Sequence, residues 1–328
     1  MPNTRAPRRG SMQFWPRKRA KNVLASRRSY PNVNDSKLLS FPGYKVSMFH
    51  GMVIDNSKTS RTKGEKIIMP TTLVECPPIK ILSARFYKKN TDTGCLLVSN
   101  EVLLSNDKIL SRKLKVPKKL KENLIDKVNL EDVVEIRVLC YTQPSLTSRG
   151  NKKPEIFESA IGGSVEQQLE FVKANSGKEI KVSDVFENGE MIDISAVTKG
   201  KGFQGTVKRF GVAIRQHKSE KTKRGIANLG AWTPTHVDFR VPQPGKMGYH
   251  TRTEYNKWLL NISNEDINPK GGFKSYGLVK NDYVMIKGSV AGSSKRVIRM
   301  TKAIRPIGPK VRPAPTFDKI SLKIENKK

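Results

Sequence analysis

Strand-like sequence stops near residue 198 and returns near residue 278, and this interruption limits the possible folds more than any other feature. On both sides of it, short β-branched and apolar stretches are bounded by Pro, Gly and Asn, as in strands. Residues 199–258 instead contain eight glycines and little apolar periodicity. A structureless stretch this long is uncommon inside a compact domain unless it is functional. We therefore expect an extension that leaves the parent domain.

The same stretch is strongly basic. Residues 199–260 contain thirteen lysines and arginines and three acidic residues. The whole chain contains 62 lysines and arginines and 29 acidic residues, which gives a net charge of +33. A small soluble domain is comfortable with a net charge of magnitude roughly 2–8, and beyond that self-repulsion opposes compaction. A polyanion supplies the missing counter-charge, which makes nucleic acid the expected partner.

The N-terminus carries a second basic segment. Residues 1–28 contain nine lysines and arginines and no acidic residue, with Phe14 and Trp15 set among them. Like-charge repulsion and the shortage of apolar residues predict that this segment stays extended until phosphates neutralise it.

The rest of the chain predicts a mainly β protein. The predicted strands cover residues 44–55, 71–76, 79–87, 95–104, 132–143, 189–198, 278–290 and 296–304. A helix is predicted after Ser164, an N-cap candidate whose capping box is completed by Gln167. A second helix is predicted after Pro117, and residues 99–177 are interpreted as an α+β insertion.

Several classes of protein are excluded. No apolar run approaches the ~20 residues needed to cross a bilayer, and no apolar h-region follows the cationic N-terminus. The chain has an odd number of cysteines, and they are widely spaced: Cys76, Cys95 and Cys140. This pattern favours reduced thiols, which serve as small core residues, over a disulfide framework or a zinc site. The four histidines have no cysteine or carboxylate at metal-ligand spacing. We expect no metal, no cofactor, no membrane association and no catalytic residue.

One glycine motif imitates a nucleotide-binding loop. Residues 200–207 match G-x-G-x-x-G-x-V, the pattern of kinase glycine-rich loops and of dinucleotide-binding turns. Arg215 stands where the kinase pattern needs lysine, no catalytic loop follows, and no amphipathic helix is predicted after the motif. The preferred interpretation is that these glycines let the backbone pass close to phosphates.

Trp232 stands between glycine and proline in a stretch without apolar periodicity, unlike Trp258, which precedes two leucines. An aromatic ring stacked on a nucleobase contributes about 1–3 kcal/mol. The sequence favours a functional role for Trp232 over a core role, and a core role for Trp258.

Several motifs together resemble the large-subunit ribosomal protein L-three family in its archaeal and eukaryotic form. They are VSDVF at 182–186, VTKGKGFQGTVKRFGV at 197–212, GAW at 230–232, GYHTRT at 248–253, RRGS at 8–11, PRKR at 16–19, GYK at 43–45 and GSVAG at 288–292. The resemblance covers nearly the whole chain.

The resemblance implies a mainly β fold with an α+β insertion, built on a six-stranded translation-protein-type β-barrel with long basic N-terminal and central loop extensions. The implied segments are a basic N-terminal extension (1–36), three barrel parts (37–98, 178–202 and 275–310), the insertion (99–177), a central extension (203–274) and a C-terminal tail (311–328). Trp232 corresponds to the tip of the central extension, which in the family points at the peptidyl-transferase region.

The implied role is a structural constituent of the cytoplasmic large ribosomal subunit, which orders large-subunit rRNA early in assembly. Its partners are that rRNA and neighbouring ribosomal proteins, and it is not a free homo-oligomer. The expected rRNA-binding residues are Arg8, Arg9, Phe14, Trp15, Arg17, Lys18, Arg19, Lys199, Lys201, Gly202, Lys208, Arg209, Arg215, His217, Lys221, Lys223, Arg224, Trp232, His236, Arg240, Lys246, Tyr249, His250 and Arg252.

The sequence departs from the family pattern at two places. Lys223 occupies the position of a modifiable histidine in eukaryotic members, so that modification is not expected here. The chain ends at Lys328 without their longer C-terminal extension, which favours an archaeal source. The alternatives left open are a non-ribosomal RNA-binding protein and an enzyme acting on RNA.

Overall fold

Antiparallel strands supply most of the regular structure, which confirms the predicted mainly β class. The computed structural model describes residues 8–57, 59–120, 125, 128–219, 221–308 and 311–321. In chain order the strands are β1 (Ser40–Ile54), β2 (Lys66–Glu75), β3 (Ile79–Lys89), β4 (Leu96–Leu103), β5 (Glu135–Thr142), β6 (Ile156–Ala160), β7 (Glu179–Ile180), β8 (Met191–Val197), β9 (Gly200–Gln204), β10 (Gly245–Gly248), β11 (Thr251–Ser263), β12 (Tyr283–Lys287), β13 (Val297–Lys302) and β14 (Thr316–Ser321).

Helices are few and short in the described ranges. They are α1 (Val165–Asn175), α2 (Thr206–Phe210) and 3-10 turns at Lys108–Arg112, Pro144–Leu146 and Val182–Asp184. The predicted capping box precedes α1: the Ser164 hydroxyl accepts the Gln167 backbone N–H, and the Gln167 side chain accepts the Ser164 N–H at 3.1 Å. Two backbone donors at the start of α1 are thereby satisfied.

The chain divides into two compact units. The first unit combines residues up to Asn22 with Val197–Thr251, and the second combines Val23–Ala196 with Arg252–Lys328. Two names are used below: the N-terminal arm is residues 8–22, and the central segment is Val197–Thr251. The first unit contains β9, β10 and α2, whereas the two large sheets belong to the second.

The larger sheet of the second unit has seven strands in the order β13-β8-β11-β12-β2-β1-β14, and β13 also pairs with β1. Its longest ladder runs from Tyr44 opposite Glu75 to Ile54 opposite Lys66. Strand β8 is buried along its whole length, including the charged side chain of Asp193. Arg27 compensates that charge at 2.9 Å, as a buried carboxylate requires.

The smaller sheet has the order β4-β3-β5-β6, with β7 paired to β3. Helix α1 is linked to β5 by Gln168, whose buried amide oxygen accepts the Ile136 N–H at 2.8 Å. One cluster of buried apolar side chains connects both sheets, with Phe41 from β1 and Phe157 from β6 among its members. Both sheets therefore share a hydrophobic core.

All eight predicted strands are present with shifted ends, as β1 to β5, β8, β12 and β13. The predicted strand-free stretch was wrong, because β9, β10 and β11 lie inside it. In β11 only Leu259 and Leu260 are fully buried, so polar residues mask its alternation. Trp258 packs against the core as expected, and its Nε1 donates to the Gly189 carbonyl at 3.1 Å.

Two smaller expectations have mixed outcomes. Residues 117–120 form no helix, and most of the predicted helix after them falls outside the described residues.

All three cysteines are free thiols. Cys76 and Cys140 are buried as predicted, but Cys95 is exposed because it immediately precedes the exposed strand β4. Burial raises the pKa of the Cys140 thiol to about 12.

Within the described ranges, no helix is both long and apolar enough to cross a membrane.

Candidate nucleic-acid interface

Positive charge is concentrated in the first unit. Its 77 residues contain 18 lysines and arginines and two acidic residues, a net charge of +16. The second unit contains 44 lysines and arginines and 27 acidic residues, so its net charge of +17 is spread over 251 residues. Two acidic residues cannot neutralise 18 cations, so the charge of the first unit favours binding to a polyanion.

A two-stranded sheet supports the base of the central segment. Strand β9 pairs with β10, Gly245 lying opposite Gln204 and Gly248 opposite Gly200. Gly248 has φ +76°, and a Cβ there would lie 2.1 Å from the Lys199 carbonyl oxygen. Only glycine permits this close backbone approach.

The nucleotide-loop motif adopts a different structure. Its first two glycines, Gly200 and Gly202, belong to β9, whose partner β10 is antiparallel, and Gly205 is the N-cap of the five-residue helix α2. The short helix was not expected. A dinucleotide-binding turn instead joins a strand of a parallel sheet to a long helix, so this geometry excludes that interpretation. The Thr206 hydroxyl donates to the Arg224 carbonyl at 3.0 Å and ties α2 to a later part of the central segment.

Ring contacts attach the N-terminal arm to the central segment. The Arg17 guanidinium lies 4.4 Å from the Phe210 ring centroid, and the Trp15 and Phe239 ring centroids lie 5.4 Å apart at an interplanar angle of 71°. The sequence predicted that the arm stays extended without phosphates. These contacts instead hold it on the central segment, because arginine side chains pack favourably on aromatic faces.

A second attachment lies beside β10. The Ala20 N–H donates to the Tyr249 carbonyl at 2.9 Å, and Arg19 lies 5.3 Å from the Tyr249 ring. Nδ1 of the buried His250 ring is 2.9 Å from the Lys18 carbonyl oxygen. Among the predicted rRNA-binding residues, His250 thus makes internal contacts that position the arm.

The remainder of the central segment is held largely by arginine. The Arg215 N–H donates to the Lys223 carbonyl at 3.0 Å, and its guanidinium donates to the Ile226 carbonyl. Arg240 forms an ion pair with Asp238 at 2.6 Å. Hydrogen bonds from Arg240 hold the pKa of the Asp238 carboxyl at about 2.

The structure leaves most predicted rRNA-binding residues accessible. The exposed ones are Arg8, Arg9, Phe14, Lys18, Arg19, Lys199, Lys201, Gly202, Lys208, His217, Lys221, Lys223, Arg224, Trp232, His236, Arg240 and Lys246. The half-buried ones are Trp15, Arg17, Arg209, Arg215, Tyr249 and Arg252. All except Arg252 belong to the first unit. The side chain of Trp232 is 92 % exposed, so it has no core role.

Sequence reasoning missed two aromatic residues. The side chains of Phe203 and Phe239 are each 71 % exposed in the first unit. Phe203 lies within the glycine motif, and Phe239 stands between Asp238 and Arg240. Their position among cations without apolar periodicity, the argument used for Trp232, was the available signal.

The arrangement suits phosphate contacts and base stacking. Among the described residues, no group of three or more His, Cys, Asp or Glu side chains could hold a metal ion. Exposed lysines and arginines can neutralise phosphates, and exposed rings can stack on unpaired bases.

Comparisons with known proteins give the family of this chain. A family profile described as Ribosomal protein L3 matches residues 1–319. The large ribosomal subunit protein uL3 of Archaeoglobus fulgidus is 45 % identical over 322 residues, covering 96 % of this chain and 95 % of the relative. The protein of the same name from Methanothermobacter thermautotrophicus is 44 % identical over 327 residues, with 96 % of each chain covered.

A third relative, the uL3 protein of Methanocaldococcus jannaschii, is 44 % identical over 318 residues and covers 94 % of this chain and 95 % of its own. Identity at this level extends over nearly the full length of both partners in each comparison. The chain therefore belongs to the ribosomal protein L3 family, whose members are structural proteins and not enzymes.

Proposed function

We propose that this protein is a structural constituent of the large ribosomal subunit in the cytoplasm, where it binds and orders large-subunit rRNA early in assembly. The observation that carries the proposal is the charge of +16 on the 77 residues of the first unit. The names of the relatives, all large ribosomal subunit proteins, support it.

The second unit supplies the proposed six-stranded barrel. Strands β13, β8, β11, β12, β2 and β1 pair in succession, and the additional pairing of β13 with β1 joins the last strand to the first. This cyclic order supports closure into a barrel, which removes exposed sheet edges among these strands.

The segments 1–36 and 203–274 are the proposed rRNA-embedded extensions, and Trp232 is the tip that reaches toward the peptidyl-transferase centre. Its 92 % exposure within a basic unit supports a role outside the protein core. A ring that the protein leaves uncovered can stack on a base and so help to order nearby RNA.

Three physical effects produce binding. Lysine and arginine neutralise phosphates and release counterions, glycine allows close backbone approach, and aromatic rings stack on splayed bases. Specificity then comes mainly from RNA shape. The proposed partners are large-subunit rRNA and neighbouring large-subunit proteins, and the protein does not act as a free homo-oligomer.

Sedimentation tests this proposal. A tagged copy of the chain, expressed in an archaeal host, is followed through a sucrose gradient after a high-salt wash. We expect it in the large subunit and, after a short pulse of expression, in early precursor particles. Migration away from ribosomal particles would instead indicate a non-ribosomal RNA-binding protein, and appearance only in finished subunits would contradict the early role.

A further inference from the structure

One recess in the first unit is built from both of its chain segments. It has a volume of about 510 Å³ and is lined by residues 15–18 of the N-terminal arm, by Arg209 and Phe210 of α2, and by residues 237–239, 241 and 243. Sites for small ligands usually have volumes of about 300–1,000 Å³. The recess is therefore large enough for a nucleobase and its ribose.

Two aromatic rings form one wall of this recess. Trp15 and Phe239 meet edge to face, with 5.4 Å between their ring centroids. Phe239 nevertheless stays 71 % exposed, and the neighbouring Val237 is 46 % exposed. The protein thus leaves an apolar surface uncovered at a place where a planar ligand can stack.

Two buried donors lie on the same recess. Among the described residues, Trp15 Nε1 and Arg209 Nε are both buried without a hydrogen-bond acceptor. Nη1 of Arg209 donates to the Gln243 carbonyl at 2.8 Å, which fixes the position of its guanidinium. Because buried donors are nearly always paired in native proteins, the two N–H groups are consistent with a ligand that carries acceptor atoms.

The charges around the recess favour a nucleotide over an apolar peptide or a lipid chain. Arg17, Lys18 and Arg209 line it, and Asp238 is the one acidic residue among the lining side chains. Both carboxylate oxygens of Asp238 already accept hydrogen bonds from Arg240. The surroundings therefore attract phosphate next to an apolar, donor-lined cavity.

We propose that this recess binds one unstacked nucleobase of RNA, which stacks on the exposed Phe239 ring beside Trp15. The acceptor edge of the base faces Trp15 Nε1 and Arg209 Nε, and its phosphates lie near Arg17 and Lys18. This proposal rests on the proposed function and assigns the binding of one base to a defined recess.

Paired RNA hairpins test the proposal with the full-length protein. Both hairpins have one bulged position: in one it is a guanosine, and in the other it is an abasic ribose. Their phosphates are equal in number, so charge neutralisation contributes equally to both. We expect the guanosine hairpin to bind roughly 5- to 150-fold more tightly, the range that stacking of one base provides.

Substitutions identify the site of this preference. Phe239→Ala removes an exposed ring and one contact of the N-terminal arm, which the Arg17–Phe210 contact and the Ala20–Tyr249 hydrogen bond still hold. It should reduce the preference for guanosine to near unity, and Trp15→Ala should reduce it in the same way. Lys246→Ala, a matched control outside the recess, should weaken both hairpins equally. If Trp232→Ala abolishes the preference and Phe239→Ala retains it, the base binds at Trp232 and the proposed recess site is wrong.

The two proposals fail in different ways. Equal affinity of the unmodified protein for both hairpins, with steep salt dependence, would overturn the recess site and leave the proposed function standing. Binding of neither hairpin nor protein-free rRNA at low salt would contradict the proposed function itself.

Discussion

The Arg17 guanidinium lies 4.4 Å from the centroid of the Phe210 ring, and its Nη1 donates to the Arg209 carbonyl at 3.3 Å. The Arg209 guanidinium lies 5.1 Å from the same ring. One aromatic side chain at the end of α2 therefore joins the two basic segments. Cation–π contacts and backbone hydrogen bonds replace much of the apolar core that this unit lacks.

The first prediction concerns this ring. Phe210→Leu should loosen the attachment of the N-terminal arm, because a cation–π contact contributes about 0.5–2 kcal/mol and leucine has no ring face. Hydrogen exchange of the Ala20 amide, which donates to the Tyr249 carbonyl, reports this loosening. The matched control Phe203→Leu, at a ring that is 71 % exposed, should leave that exchange rate unchanged. Equal exchange in both variants would show that Phe210 does not hold the arm.

The second prediction concerns backbone approach at the start of β9. Gly248→Ala should destabilise the first unit, because its Cβ would lie 2.1 Å from the Lys199 carbonyl oxygen. Gly202→Ala is the control: its φ is +69°, but a Cβ there has nothing within 4 Å, so only left-handed strain of about 1–2 kcal/mol is added. Amide exchange across β9 and β10 should increase more in Gly248→Ala. A smaller increase than in Gly202→Ala would contradict the steric argument.

The third prediction concerns a buried carboxylate in the second unit. Glu75 is fully buried, accepts the Lys280 N–H at 2.9 Å and accepts the Tyr276 hydroxyl. Tyr276→Phe should lower the free energy of unfolding at pH 7 by about 1.5–3 kcal/mol, because Glu75 loses a donor. Urea denaturation followed by circular dichroism measures this loss.

The same substitution should alter stability at high pH. Burial and the charge of Glu75 raise the pKa of Tyr276 above its ordinary value of 10.0. The folded protein then keeps a proton that the unfolded chain loses, so this contribution is complete below pH 10 and declines as the pH rises above it. Above pH 10 the unmodified protein should lose about 1.4 kcal/mol more per pH unit than Tyr276→Phe. Parallel pH profiles would contradict this assignment.

The fourth prediction concerns Trp232. Because its side chain is 92 % exposed, Trp232→Ala should change the free energy of unfolding by less than about 0.5 kcal/mol. In reconstituted large subunits the same substitution should weaken peptidyl transfer or tRNA binding. Loss of the fold would instead indicate a core role, and full activity would contradict the proposed tip role.

Where apolar residues determine the structure, the sequence was sufficient to predict it. The strands of the core and the capping box of Ser164 and Gln167 follow from local patterns. Strand β11 could not be predicted from a local pattern, because Leu259 and Leu260 are its only fully buried residues. Its remaining residues are held by pairing with strands far away in sequence, which no local window contains.

The candidate interface was predictable in composition but not in arrangement. Charge counts identified both basic segments, and Trp232 was recognised by its lack of an apolar context. The packing of the N-terminal arm on the central segment was not predicted, because contacts such as Trp15 with Phe239 join residues more than 200 positions apart. For the same reason the recess between them left no sequence signature.

The salt dependence of binding to protein-free large-subunit rRNA tests the central claim most directly. Affinity should fall by roughly 10³-fold or more between about 50 and 200 mM salt, because counterions are released at many phosphates. Replacing Lys201, Lys208 and Lys246 of the first unit with glutamine should reduce this dependence more than replacing Lys88, Lys89 and Lys274 of the second. An affinity that does not change with salt, or equal effects of the two triple variants, would contradict the account.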